Sequence, residues 1–292
     1  MKKWISAARL RTLPLALSSI LMAAVLAQSV FMFRWDVFRW SIITTILLQV
    51  LSNFANDYGD TKNGADTAER IGPLRAVQSG EISQKQMLTA ILLTGAAALL
   101  SGIYLLYVAF GSFSSTYFRI YLAFGVSALI AAYTYTAGKR PYGYSGLGDI
   151  SVFLFFGLLA VVAGYFLYTL HLEWALLLPA TACGALATAV LNINNIRDTE
   201  SDKKAGKITI PVLLGRKNAL FYHWFLLVLA MVTAAAYVYL KSGNWYYLLS
   251  FPLILLNGIQ VSKKANPDPY LKTLALTSLL FVVVFGLSLI FR

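Results

Sequence analysis

Two short stretches of this sequence set asparagines and aspartates at helical spacing. In SNFANDYGD, residues Asn53, Asn56, Asp57 and Asp60 fall within an arc of about 100° if one helix runs through them. In LNINNIRDTESD, residues Asn192, Asn195, Asp198 and Asp202 cover about 120° of a helical face. Carboxylates brought close repel unless they are protonated or bridged by cations. An all-oxygen donor set suits Mg2+, which takes a few carboxylates and completes its shell with water or phosphate oxygens. Basic residues interleave with the acids: Lys62, Arg70, Arg75, Arg197, Lys203, Lys204 and Lys207. Carboxylates, a divalent cation and Arg/Lys donors together form a set that holds an anion such as diphosphate. Asp66 lies beyond Gly64, where the chain is expected to bend. Glu69, Glu200, Lys203 and Lys204 read as solvated loop charge.

Membrane helices must position these residues. Of 292 residues, 59% are apolar and 12% charged, and the mean hydropathy is +0.69. Soluble domains carry about 25% charged residues, so a soluble globule, a disordered chain and a disulfide-stapled module are all excluded. Apolar runs without strict alternation mark nine spans, at roughly 12–33, 38–57, 86–110, 118–137, 148–170, 173–197, 217–240, 244–262 and 270–291. The N-terminal run is long enough to cross and reads as an uncleaved first helix rather than a signal peptide. Within lipid, only helices or closed barrels satisfy the backbone.

The net charge of +12 is explained by membrane orientation and anionic ligands, with no nucleic-acid partner. With the N-terminus and every second loop taken as one side, that side holds nineteen of the 24 basic residues, which makes it cytoplasmic. The expected fold is an all-α polytopic membrane protein. Its nine transmembrane helices form a bundle around a central cavity, with the N-terminus cytoplasmic and the C-terminus extracytoplasmic. Residues 1–292 form one domain, with functional loops at about 57–85, 135–148 and 197–217. Both acidic motifs fall on the cytoplasmic side, four spans apart, which hints at two parallel four-helix halves plus one extra helix. Cys183 reads as an inert core residue, and neither His171 nor His223 has a neighbouring ligand set. Trp245, Tyr246 and Tyr247 read as an interfacial belt, and Asp149 as the acidic first turn of the fifth span.

These motifs resemble those of the UbiA-type intramembrane aromatic prenyltransferases. Asn56-Asp57-Tyr58-Gly59-Asp60 is similar to that family's first aspartate motif, Asp198-Thr199-Glu200-Ser201-Asp202 to its second, and Tyr135-Thr136-Ala137-Gly138-Lys139 to its Y-x-x-x-K signature. The segments RLRTLPLALSSIL, NDYGDTKNGADTAERIGPLRAVQSGEIS, GLGDISVFLFFG and NNIRDTESDKKAGKITIPVLLG look closest to the family's 1,4-dihydroxy-2-naphthoate branch. Asp66 follows Asp60 by six residues, where some other branches have four.

The resemblance implies Mg2+-dependent transfer of a polyprenyl group from polyprenyl diphosphate to 1,4-dihydroxy-2-naphthoate, with loss of CO2 and diphosphate. It implies a multi-pass protein of the cell inner membrane whose site opens to the cytoplasm, with the isoprenoid entering laterally from the bilayer. It makes Asp57, Asp60, Asp198 and Asp202 metal ligands, with Asp66 a further candidate. It makes Asn56, Arg75, Lys139, Asn192 and Asn195 diphosphate contacts, and gives Tyr135 an orienting or shielding role. Arg11 is a candidate for the naphthoate carboxylate, and positive-inside topology explains it equally well. Acceptors such as 4-hydroxybenzoate or homogentisate are the alternative within the family. A transporter is the alternative from another class, against which stand the uncharged helix centres and the shared side of both polar sites.

Overall fold

The computed structural model describes residues 1–64, 74–138 and 141–291. Among them the chain is helical apart from one isolated parallel β-bridge, between Ser145 and Ile208. The N-terminus forms a short helix α1 (Lys2–Ala8), breaks at Arg9 in the left-handed conformation, and continues as α2 (Leu13–Ser29). Then come α3 (Trp35–Lys62), α4 (Gln84–Phe110) and α5 (Thr116–Thr134). The fifth expected span is a composite of α6 (Gly148–Val152), a π-helical stretch over Phe153–Ala163, and α7 (Gly164–Thr169). Next are α8 (Leu177–Arg197), a short α9 (Thr199–Lys204), α10 (Ile210–Leu240), α11 (Phe251–Lys263) and α12 (Asp268–Ile290).

Eight helical stretches among the described residues are long and apolar enough to cross a membrane. The eighth expected span, 244–262, is a 3-10 turn over Trp245–Ser250 leading into the 13-residue α11. Local chemistry sets several ends. Proline stands in the first helical turn of α2, α10, α11 and α12, where its missing N–H costs nothing. Ser83 and Gln86 form a reciprocal capping box at the start of α4. The second span overruns its expected end at 57 and continues to Lys62, so one continuous helix carries Asn53, Asn56, Asp57 and Asp60.

Helix α8 is the buried centre, packed against α10, the π-helical stretch and α12. Its ATACGALATAV run supplies small residues, and small residues let membrane helices approach closely. A Cβ on Gly157 would sit 2.7 Å from the Ala180 carbonyl oxygen and 2.8 Å from Gly184 Cα. The π-helical stretch is therefore seated on α8 backbone to backbone. Cys183 is buried and unpaired, in keeping with an inert core role. Leu92, Leu93, Leu100, Phe221 and Val232 point outward, as lipid-facing residues do.

Candidate active site

Gly59 brings the first motif against the segment that follows α5. A Cβ there would lie 2.5 Å from both carbonyl atoms of Thr136. The Thr136 hydroxyl donates to the Ala55 carbonyl at 3.1 Å and to Asn56 Oδ1 at 3.0 Å, and Asn63 Nδ2 donates to the Thr136 carbonyl at 2.8 Å. Tyr135 is thereby held beside Asn56. Tyr142, farther along, hydrogen-bonds Ser151 at 3.1 Å, and desolvation holds its hydroxyl above the usual phenol pKa.

The second motif runs from the end of α8 into α9. Buried Arg197 donates Nε to Asp198 Oδ1 at 2.8 Å and Nη2 to Asn194 Oδ1 at 2.7 Å, and it also pairs with Asp268. Past α9, Gly206 turns through positive φ, and the Lys207 N–H donates to the Asp202 carbonyl at 2.8 Å. Ile208 then donates its N–H to the Tyr144 carbonyl at 2.9 Å. This bridge sets the Lys207 ammonium 4.4 Å above the Tyr144 ring.

The two motifs converge on Asp60, which is 2% exposed. Its Oδ1 accepts from the Tyr144 hydroxyl at 2.6 Å and from Lys207 Nζ at 2.9 Å, and its Oδ2 meets Arg75 Nη2 at 2.6 Å. Lys207 Nζ also lies 3.7 Å from Asp202.

Asn56, Asp60, Arg75, Tyr135, Asn195, Asp198 and Asp202 all line one polar cavity of about 100 Å³. A second cavity of about 480 Å³ lies deeper in the bundle and is mainly apolar, lined by residues such as Leu15, Ile20, Ile103, Phe155, Phe156 and Val190. Arg9, Asn56, Tyr135, Leu191 and Asn194 line both, so the two adjoin.

Several expected site residues stand elsewhere. Asp57 is buried but faces away from both cavities, and its two oxygens accept the backbone N–H groups of Val77 and Ala76 at 3.1 Å each. Buried Asn192 donates to the Ala219 carbonyl of α10 at 2.9 Å and lines neither cavity. Asn53 donates to the Ala8 carbonyl at 2.8 Å, and Arg11 lies 3.6 Å from Asp268, outside the polar cavity. Lys139 and Asp66 lie outside the described residues. The cavity also contains residues to which the sequence assigned no site role: Arg9, Tyr144, Asp149, Asn194 and Thr209. Lys207 was legible as one of the basic residues interleaved with the acids, with no partner assigned to it.

Among the described residues, no three carboxylates, imidazoles or thiols converge as a ready-made metal cluster. The donor chemistry nevertheless suits a hard cation. Carboxylate and amide oxygens of Asn56, Asp60, Asn195, Asp198 and Asp202 share the cavity, and a lysine ammonium lies between Asp60 and Asp202.

Fold and site together describe a bundle of membrane-spanning length in which a polar cavity of carboxylates and cations adjoins an apolar chamber. A model of the UbiA prenyltransferase family matches residues 16–279, and the chain belongs to that family. It is 43% identical to a 1,4-dihydroxy-2-naphthoate octaprenyltransferase of Haemophilus influenzae, over 99% of this chain and 96% of that protein. It is 44% identical to the Escherichia coli protein of the same name, over 98% and 95% of the two chains. Among solved structures, a UbiA homolog from Archaeoglobus fulgidus bound to DMAPP and Mg2+ shares the fold, with a TM-score of 0.65 at 20% identity over 99% of both chains. A UbiA homolog from Aeropyrum pernix matches with a TM-score of 0.68 at 18% identity over 96% of both.

Proposed function

We propose that this protein transfers a polyprenyl group from polyprenyl diphosphate to 1,4-dihydroxy-2-naphthoate, releasing CO2 and diphosphate and giving demethylmenaquinone. One observation carries the reading: two acidic motifs share a polar, cation-lined cavity that adjoins an apolar chamber of about 480 Å³. The naphthoate acceptor is supported by the names of relatives 43% and 44% identical over nearly the whole chain.

In this reading Arg75, Lys207 and Lys139 grip the diphosphate, because charge-assisted contacts are the strong ones for such an anion. Asp60, Asp198 and Asp202, with Asn56 and Asn195, hold Mg2+. Mg2+, when bound, neutralises charge that develops on the departing diphosphate. Asp57 acts at one remove by fixing the turn that carries Arg75. Tyr135 stands between the polar and apolar cavities and shields the reacting carbon. The apolar chamber takes the isoprenoid chain and excludes the water that would hydrolyse an allylic cation. The chain crosses the inner membrane nine times, with α11 and its leading turn as the eighth crossing, the N-terminus cytoplasmic and the site open to the cytoplasm.

Purified protein given polyprenyl diphosphate, Mg2+ and a panel of acceptors is expected to form prenylated, decarboxylated product with the naphthoate. Product from 4-hydroxybenzoate or homogentisate alone would overturn the acceptor. No product from any aromatic acceptor would overturn prenyl transfer.

A further inference from the structure

We propose that Asp149 is a catalytic residue that accepts the hydroxyl hydrogen of the aromatic acceptor and takes its proton as the ring attacks; this rests on the prenyl-transfer reading above. Asp149 is the second residue of α6. It lines the polar cavity and is only 9% exposed, yet its Oδ1 has no hydrogen-bond partner among the described residues. The Tyr222 side chain of α10 bears electrostatically on the same carboxyl group. Buried polar oxygens are almost always paired, so an unpaired one on a residue that lines a cavity marks a place for a donor on a ligand.

The neighbouring acids differ from it in kind. Asp60 is held by Arg75 and Lys207, Asp198 by Arg197, and Asp202 lies near Lys207. No cation among the described residues pairs with Asp149, and the titratable side chains that bear on it are Tyr135 and Tyr222. A carboxylate already satisfied by cations is a poor hydrogen-bond acceptor and a poor base, whereas a buried one without a paired cation is a good one.

Its location also suits the reaction. A Cβ on Gly148 would lie 2.8 Å from the Tyr135 hydroxyl, so the start of α6 abuts the residue that lines both cavities. An aromatic acceptor lodged there meets the allylic carbon at the chamber mouth and turns a hydroxyl toward Asp149. In the step, the O–H proton passes to the carboxylate and the ring's electron pair forms the new carbon–carbon bond. The allylic carbon–oxygen bond breaks, and its pair leaves on diphosphate. The ring is left as a neutral ketone and Asp149 as a carboxylic acid, so charge and atoms balance.

The test compares wild type with Asp149→Asn and Tyr222→Phe in steady-state transfer. Prenyl-diphosphate binding and the Mg2+ half-saturation are measured on the same preparations. For Asp149→Asn, kcat is expected to fall about 10²–10⁴-fold, with prenyl-diphosphate binding and Mg2+ half-saturation unchanged. Tyr222→Phe keeps the base but loosens it, and is expected to raise the acceptor KM several-fold without moving the prenyl-diphosphate KM. Full activity in Asp149→Asn overturns the proposal. A shifted Mg2+ half-saturation overturns it in favour of a metal ligand, and lost prenyl-diphosphate binding overturns it in favour of a structural role. If wild type rejects the naphthoate but prenylates another hydroxylated ring, only the acceptor reading falls, and the same comparison is made on that ring. If wild type prenylates no ring at all, both fall.

Discussion

Lys207 holds its ammonium 2.9 Å from Asp60 Oδ1, so a residue beyond the second acidic motif completes the environment of the first. Asp202 lies 3.7 Å from the same ammonium, and the Tyr144 ring lies beneath it. Such a cation is placed to meet an anion as well as to neutralise carboxylates. A charge-assisted contact of this kind is worth about 1.5–3 kcal/mol, or roughly ten- to a hundred-fold in affinity. Lys207→Gln is therefore expected to raise the prenyl-diphosphate KM by that factor. Exposed Lys203 supplies the control, and Lys203→Gln should leave KM unchanged. Equal behaviour of the two variants would reduce Lys207 to topological charge.

Asp57 and Asp60 are three residues apart on one helix, yet they should fail differently. Asp57 holds the Ala76–Val77 turn and, through it, the adjacent Arg75. Asp57→Asn is expected to weaken prenyl-diphosphate binding about as much as Arg75→Gln does, and the double variant to be little worse than either, since the two act on one contact. Asp60→Asn instead should raise the Mg2+ half-saturation at least about ten-fold, because a carboxylate ligand is lost. Mg2+ titrations of all four variants separate the roles, and an Mg2+ shift in Asp57→Asn would return that residue to the metal.

Chelation bears on the same site. EDTA should abolish transfer, and added Mg2+ should restore it while the protein stays folded. Activity that persists in EDTA would remove the metal from the reaction.

Gly59→Ala tests the join between α3 and the post-α5 segment. The new methyl would meet the Thr136 backbone at 2.5 Å, and neither chain segment can yield as a flexible side chain would. Overpacking of this kind costs about 1–3 kcal/mol. A lowered thermal midpoint and reduced turnover are expected. An unchanged midpoint would mean that the two segments part at little cost.

Orientation has a direct test. A reporter inserted near Lys204 should report the cytoplasm, and one fused after Arg292 the opposite side. Reporters on one side for both sites would sink the nine-crossing arrangement.

The helices were legible because apolar runs of crossing length leave few alternatives, and eight of the nine expected spans coincide with helical stretches long and apolar enough to cross, the exception being 244–262. Asn56, Asp60, Asp198 and Asp202 were legible because their helical spacing put them on polar stripes. Asp57 could not be separated from Asp60 by that argument. Both lie on the same stripe, and only the return of residues 76–77, distant in sequence, occupies one and leaves the other to the cavity. The pairing of Tyr144 and Lys207 with Asp60 was hidden for a similar reason: a single backbone pairing across more than sixty residues brings them in, and it leaves no periodic trace. Asp149 was read as a helix-start charge, since its free oxygen is a property of what does not surround it.

The Ser145–Ile208 bridge bears on how this protein can be recombined. It ties the loop before α6 to the loop before α10, and so brings Asp60's partner Tyr144 beside Lys207. A chimera with a relative that crosses over between these loops would pair a Tyr144 loop from one parent with a Lys207 loop from the other. Crossovers before Tyr142 or after Thr209 keep the pair together, and such hybrids should retain activity more often than those cut between them.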